Sequence, residues 1–142
     1  MHRCLFCAIA AGRVPANIVY EDERTMAFLD IHPSAPGHTL IIPRVHAARI
    51  EDLSAEDAIA LFAALHRLAK PIREAMGAEA ATVGINDGPG SGQVIPHVHI
   101  HVIPRRSGDG GTIVQSLARH LSRPSQEELG ETAERIRRLA EG

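Results

Sequence analysis

Apolar and polar positions alternate most strictly over His97-Val98-His99-Ile100-His101-Val102, where every second residue is aliphatic and every one between is histidine. A period of two is that of a β-strand, whose side chains point to opposite faces in turn. A strand over His97–Arg105 would pack Val98, Ile100 and Val102 on one face and present three imidazoles on the other. Large aliphatic side chains at the histidine positions could each add about 1.5–3 kcal/mol of burial. Forgoing that burial three times points to chemistry.

The rest of the pattern predicts the elements around this strand. Leu5 to Ala11 reads as a short helix stopped by Gly12 and Pro15. Ile18-Val19-Tyr20 and Thr25–Ile31, joined by the polar run Glu21–Arg24, read as a hairpin, and His38–Pro43 as a third strand bounded by Gly37 and Pro43. Leu61, Leu65, Leu68, Ile72 and Met76 recur at helical spacing behind a Ser54 cap and an acidic first turn. They predict a long helix closed by Gly77, with Pro71 removing one hydrogen bond and kinking its last turns. Ala81–Asn86 is a further strand. Leu129, Ala133, Ile136 and Leu139, behind a Ser125/Glu128 capping box, mark a C-terminal helix whose other face is charged. No pattern assigns residues 112–124. The elements together predict an α+β fold.

With 142 residues, 44% of them apolar, the chain fits a single domain over 1–142, its core ending near 106 and an extension over 107–142 carrying the last helix. A net charge of −2 with no basic stripe argues against a nucleic acid as partner. No apolar run approaches the roughly 20 residues that cross a bilayer, which argues against a membrane partner. The first residues show no signal-peptide pattern, so a cytoplasmic location is expected.

Imidazole serves as a metal ligand or as a nucleophile and acid–base group near neutrality. Residues i and i+4 of an extended strand lie about 13 Å apart, so the triplet alone does not cage an ion. Cys4 and Cys7 form a C-x2-C that could be a redox pair or half of a metal site. No βαβ pattern accompanies it, which favours half a zinc site lacking two ligands. Asp30, at the end of the second strand, either accepts backbone N–H bonds or holds sugar hydroxyls. The loop Asp87–Gln93, with three glycines, is either a flexible connection or an anion cradle. Its place just before the histidine strand favours phosphate contact, although it lacks the Gly-Lys-Ser/Thr ending of a Walker loop.

Cys4-Leu5-Phe6-Cys7, Phe28-Leu29-Asp30-Ile31, Gly37 to His46, Asn86-Asp87-Gly88, Gly92-Gln93 and the histidine strand follow one another in an order that resembles the histidine triad (HIT) superfamily, in its zinc-containing nucleotide hydrolase branch. The resemblance implies an antiparallel sheet with helices on one face, a long central helix and a homodimer with joined sheets. It implies a hydrolase or nucleotidyl transferase acting at the α-phosphate of purine nucleotides. His99 would attack phosphorus, His101 would donate to a phosphate oxygen, and His38 would support the cluster, with His97 the first of the triad. Asn86, Gly92 and Gln93 would contact phosphate; Phe6, Ile9, Phe28, Leu29 and Ile31 would line the base pocket, and Asp30 would hold the ribose. Cys4, Cys7, His46 and His97 would bind a structural zinc, with no catalytic metal required.

Two features narrow the resemblance. His101 stands where the related hexose-1-phosphate uridylyltransferases have glutamine, which favours hydrolysis over transfer. Val94 stands where phosphoramidase-type members have a hydroxyl, which favours dinucleoside polyphosphates over nucleoside phosphoramidates. The competing readings are a nucleotide-binding signalling or scaffolding module with incidental hydrolysis, and a histidine-ligated metalloenzyme.

Overall fold

The computed structural model of the chain describes residues 3–116 and 123–141. Five strands, β1 (Ile18–Glu21), β2 (Thr25–Leu29), β3 (Thr39–Pro43), β4 (Ala80–Gly84) and β5 (Ile100–Arg105), form one antiparallel sheet in the order β1-β2-β3-β5-β4. Helix α1 spans Leu5–Ala10 and helix α2 spans Ala55–Ala75. The predicted hairpin is present: Glu21 pairs with Met26, and Asp22 accepts the N–H groups of Arg24 and Thr25 in the turn.

Helix α2 follows from its sequence. Ser54 caps it by accepting the Asp57 N–H at 3.1 Å, and Leu61, Ala64, Leu68 and Ile72 bury its stripe. Pro71 lies inside α2, which continues unbroken to Ala75. The end is a Schellman motif: Gly77, at φ 60°, donates to the Glu74 carbonyl and Ala78 to that of Arg73. Arg24 anchors the start of α2 to the hairpin turn through Glu56 and Asp57, both at 2.8 Å.

Two expectations change. The sheet is covered on both faces: α2 packs on Ala27, Ile41, Val98, Ile100 and Val102, whereas Phe6 and Ile9 of α1 pack with Met26, Phe28, Leu40 and Ile42. Successive residues of β2 and β3 point to opposite faces, and both faces of those strands are apolar, so each needs a cover. Regular pairing of the histidine strand begins at Ile100 rather than His97. The His97 N–H bonds the Ile95 carbonyl and the Val98 N–H bonds that of Ala47, both at 2.8 Å, so this stretch is tied to the loop after β3.

This compact unit ends at Gly111, and a second begins at Thr112. In the second, helix α3 (Gln126–Glu141) starts at the predicted capping box, where Ser125 Oγ accepts the Glu128 N–H at 3.1 Å. Among the described residues no helix is long and apolar enough to cross a membrane. Part of 112–124, the stretch without a sequence pattern, lies outside the described residues; Val114–Ser116 is a single 3₁₀ turn.

Candidate active site and metal cluster

Strand register assembles the histidines. Leu40 of β3 pairs with His101 of β5, so His38, two residues before Leu40 on the same face, lies diagonal to His101. The His38 Nε2 and His101 Nδ1 are 2.9 Å apart, and the His99 and His101 ring centroids 4.9 Å. On the other side of β5, Gly84 pairs with His101, and a Cβ there would meet nothing within 4 Å. Among the described residues no atom therefore fills the space over Gly84 on the His101 side of β4. Phe6 packs edge-on against His99 at 5.1 Å, against Phe28 at 5.4 Å and against His97 at 5.9 Å.

Backbone partners fix where the protons sit. A carbonyl oxygen only accepts, so the 2.7 Å contact between His99 Nδ1 and the His97 carbonyl places the His99 proton on Nδ1 and leaves its Nε2 with a lone pair. The Ser34 N–H donates to His38 Nδ1 at 3.0 Å, so neutral His38 carries its proton on Nε2 and donates it to His101 Nδ1. His101 is thereby an Nε2–H donor, and among the described residues that buried atom has no hydrogen-bond partner. Burial, then the nearby His99 and His38, hold the His101 imidazole down to about 4; burial also lowers His38, opposed by Asp30. His38 and His101 are therefore neutral near pH 7, and His99 and His101 stand two residues apart on one face with their rings in contact.

A second cluster sits beside the first. Cys4 Sγ lies 3.4 Å from His97 Nδ1, and Cys7 Sγ lies 3.4 Å from His46 Nδ1 and 3.5 Å from His97 Nδ1. The four ligand atoms lie within 4.8 Å of one another. With Zn–S near 2.3 Å and Zn–N near 2.0–2.1 Å, a tetrahedron has S···N edges of about 3.6 Å, so these separations fit that ion. The His97 Nε2 donates to the Pro43 carbonyl at 2.8 Å, which leaves the Nδ1 lone pair facing the sulfurs. Burial and the Cys4 sulfur push the Cys7 thiol up to about 11. A divalent cation reverses that effect, since coordination deprotonates a thiol.

The other predicted site residues divide. Phe6, Ile9 and Phe28 are buried in the core beneath the histidines, Leu29 is half-buried, and Ile31 is 76% exposed. One Asp30 oxygen accepts the His32 N–H at 2.9 Å, and the other lies 3.7 Å from His38 Nε2. Both anticipated uses of this residue thus stay chemically available: one oxygen closes a turn and the other faces the cluster. Asn86 is half-buried just beyond Gly84. Gln93 spends its side chain on the loop, accepting from Gly88 and donating to the Ala48 and Ile95 carbonyls, and Gly92 donates its N–H to Pro89. Among the described residues the Val94 N–H has no such partner, and its side chain is 86% exposed. Sequence reasoning missed Ser34 and the carbonyls of Pro43, Ala48 and His97. All four act through the backbone, which leaves no residue-type signal.

Residues 11–108 match the family model described as the HIT domain. The chain belongs to the HIT family. That match contains all the site histidines and begins after Cys4 and Cys7. This HIT protein is 38% identical over 108 residues to an adenosine 5'-monophosphoramidase of Schizosaccharomyces pombe, covering 76% of this chain and 78% of the other. It is 35% identical over 96 residues to an asymmetrical bis(5'-nucleosyl)-tetraphosphatase of the same organism, covering 68% and 53%. A zinc-bound histidine triad family protein from Mycobacterium smegmatis superimposes with a TM-score of 0.71 at 39% identity, covering 90% of this chain and 88% of that one.

Proposed function

We propose that this HIT protein hydrolyses nucleotides at the α-phosphorus through a nucleotidyl–His99 intermediate. The observation that carries the reading is the fixed tautomer of His99, whose Nδ1–H is held by the His97 carbonyl at 2.7 Å, next to the unpaired Nε2–H of His101. The His99 Nε2 lone pair forms an N–P bond as the bond from phosphorus to the leaving group breaks, and the leaving group takes that electron pair. The charge acquired by the imidazole spreads over the ring, with Nδ1–H still on the carbonyl. His101 Nε2–H donates to a non-bridging phosphoryl oxygen, where positioning and charge stabilisation supply most of the catalysis. Water then attacks phosphorus and releases a proton to solvent, the N–P bond returns its electrons to Nε2, and a nucleoside monophosphate leaves.

A phosphate leaving group departs as an anion, whereas an amine must gain a proton. Val94, exposed at the end of the glycine-rich loop, has none to give, which favours dinucleoside polyphosphates over phosphoramidates. The names of the two yeast relatives span both substrate classes, so this residue is where the choice falls. The free Val94 N–H and Asn86 are the phosphate contacts this reading favours, with Leu29 and Ile31 facing a purine and Asp30 the ribose. Cys4, Cys7, His46 and His97 fit a structural zinc, which would hold two thiolates and tie α1 to the segment carrying His99. No hydrolytic step passes through that ion. The open edge of β4, with Val83 exposed, fits a homodimer formed by joining two sheets.

His99→Ala is expected to lose on the order of 10³-fold or more in kcat while still binding nucleoside monophosphate. A variant that keeps wild-type turnover overturns the proposal. Wild-type protein that binds a panel of polyphosphates and phosphoramidates tightly without turning any over is instead a binding module.

A further inference from the structure

The loop between β2 and β3 holds a group that the proposed chemistry has not yet used. Ala35-Pro36-Gly37-His38 is a turn in which His38 N–H bonds the Ala35 carbonyl at 3.0 Å, with proline second and Gly37 third at φ 84°. That is the composition of a type II turn. It is held from both sides: Thr39 Oγ1 donates to the Gly37 carbonyl at 2.8 Å, and a Cβ on Gly37 would lie 2.4 Å from Met76 Cγ. The turn folds the chain back so that the N–H of Ser34 meets Nδ1 of the buried His38.

We propose that the Ser34 backbone amide is a positioning group that locks the tautomers of His38 and His101, and so decides that a proton rather than a lone pair faces the substrate. An amide N–H can only donate, so Nδ1 of His38 must accept and Nε2 must carry hydrogen. That hydrogen is given to His101 Nδ1, which forces the His101 proton onto the unpartnered Nε2. Without the Ser34 amide, His38 is free to carry its proton on Nδ1. His101 would then turn a lone pair towards an anionic phosphate, which repels it. The same lock decides a second question. Asp30, His38 and His101 lie close enough to share a cation, but with the amide donating to Nδ1, a metal on His38 Nε2 would require the neutral ring to give up its one N–H proton and become an imidazolate. The cluster is built to hand on a hydrogen bond.

This inference rests on the proposed nucleotidyl transfer to His99, and its test separates the two. The probe is the ring-nitrogen ¹⁵N spectrum of the uniformly labelled full chain near pH 8. His38 and His101 are both expected to be protonated on Nε2. Ser34→Ala retains the amide and is expected to retain these tautomers. Ser34→Pro removes the N–H, and His38 is expected to gain an Nδ1–H population, with kcat falling about tenfold and KM within about twofold, as for loss of part of an acid's contribution. His101 protonated on Nδ1 in the wild type overturns the lock, as does a folded Ser34→Pro protein with unchanged tautomers. Should Ser34→Pro fail to fold, the wild-type spectrum decides alone. The expected tautomers in a protein that hydrolyses nothing would sink the proposed function and spare the lock; other tautomers in an active enzyme would do the reverse.

Discussion

Gly37 shows how far one residue can carry the site. Its φ of 84° lies in the left-handed region, where an L side chain costs about 1–2 kcal/mol, and Met76 leaves no room for a Cβ. Gly37→Ala is therefore expected to lose about 2 kcal/mol or more of stability in urea titration. An unchanged midpoint would show that the turn is not held as described. His101 makes a different prediction. Its folded value of about 4 lies below the ordinary 6.5, so between pH 6.5 and 4 the unfolded chain binds a proton that the folded chain refuses. Stability from this group is complete above pH 6.5 and is lost as the pH falls towards 4. Urea midpoints over that range should fall more steeply for the wild type than for His101→Gln, which has no ring to protonate; parallel slopes would contradict the account.

Among the elements, α1 is the one least able to stand alone, since six residues are far too few for an isolated helix. It is held by Phe6, wedged against His97, His99 and Phe28, and by Cys4 and Cys7 facing His46 and His97. If zinc ties it down, a strong chelator should lower the melting temperature by several degrees, because metal binding is linked to folding. Turnover below that temperature should persist. Loss of activity in step with metal, with the fold intact, would instead favour a metal-dependent reaction. How legible these elements were follows from what specifies them. Helix α2 could be read from its cap, its stripe and Gly77 because those signals are local. The start of β5 could not, because it depends on Val98 bonding Ala47, a partner 51 residues away. Likewise the histidine alternation gave the site's residues and their shared face, while the proton positions came from Ser34, Pro43 and His97 backbone groups that any residue could have supplied.

At the scale of the molecule, the sheet order puts the histidine strand beside the β4 edge, so the histidine cluster and the proposed dimer seam are neighbours. A dimer should appear as twice the chain mass by light scattering, and a charge placed by Val83→Lys should shift it towards monomer. A monomer at micromolar concentration would remove the joined sheet from the account. The proposed function turns on one bond, between phosphorus and a ring nitrogen of His99. Rapid mixing with excess enzyme over a dinucleoside polyphosphate, quenching into alkaline denaturant and mapping peptides by mass spectrometry tests it most directly. A nucleotidyl group on the peptide at His99, absent from His99→Ala, is the predicted result; complete turnover with no adduct, or an adduct on another residue, contradicts it.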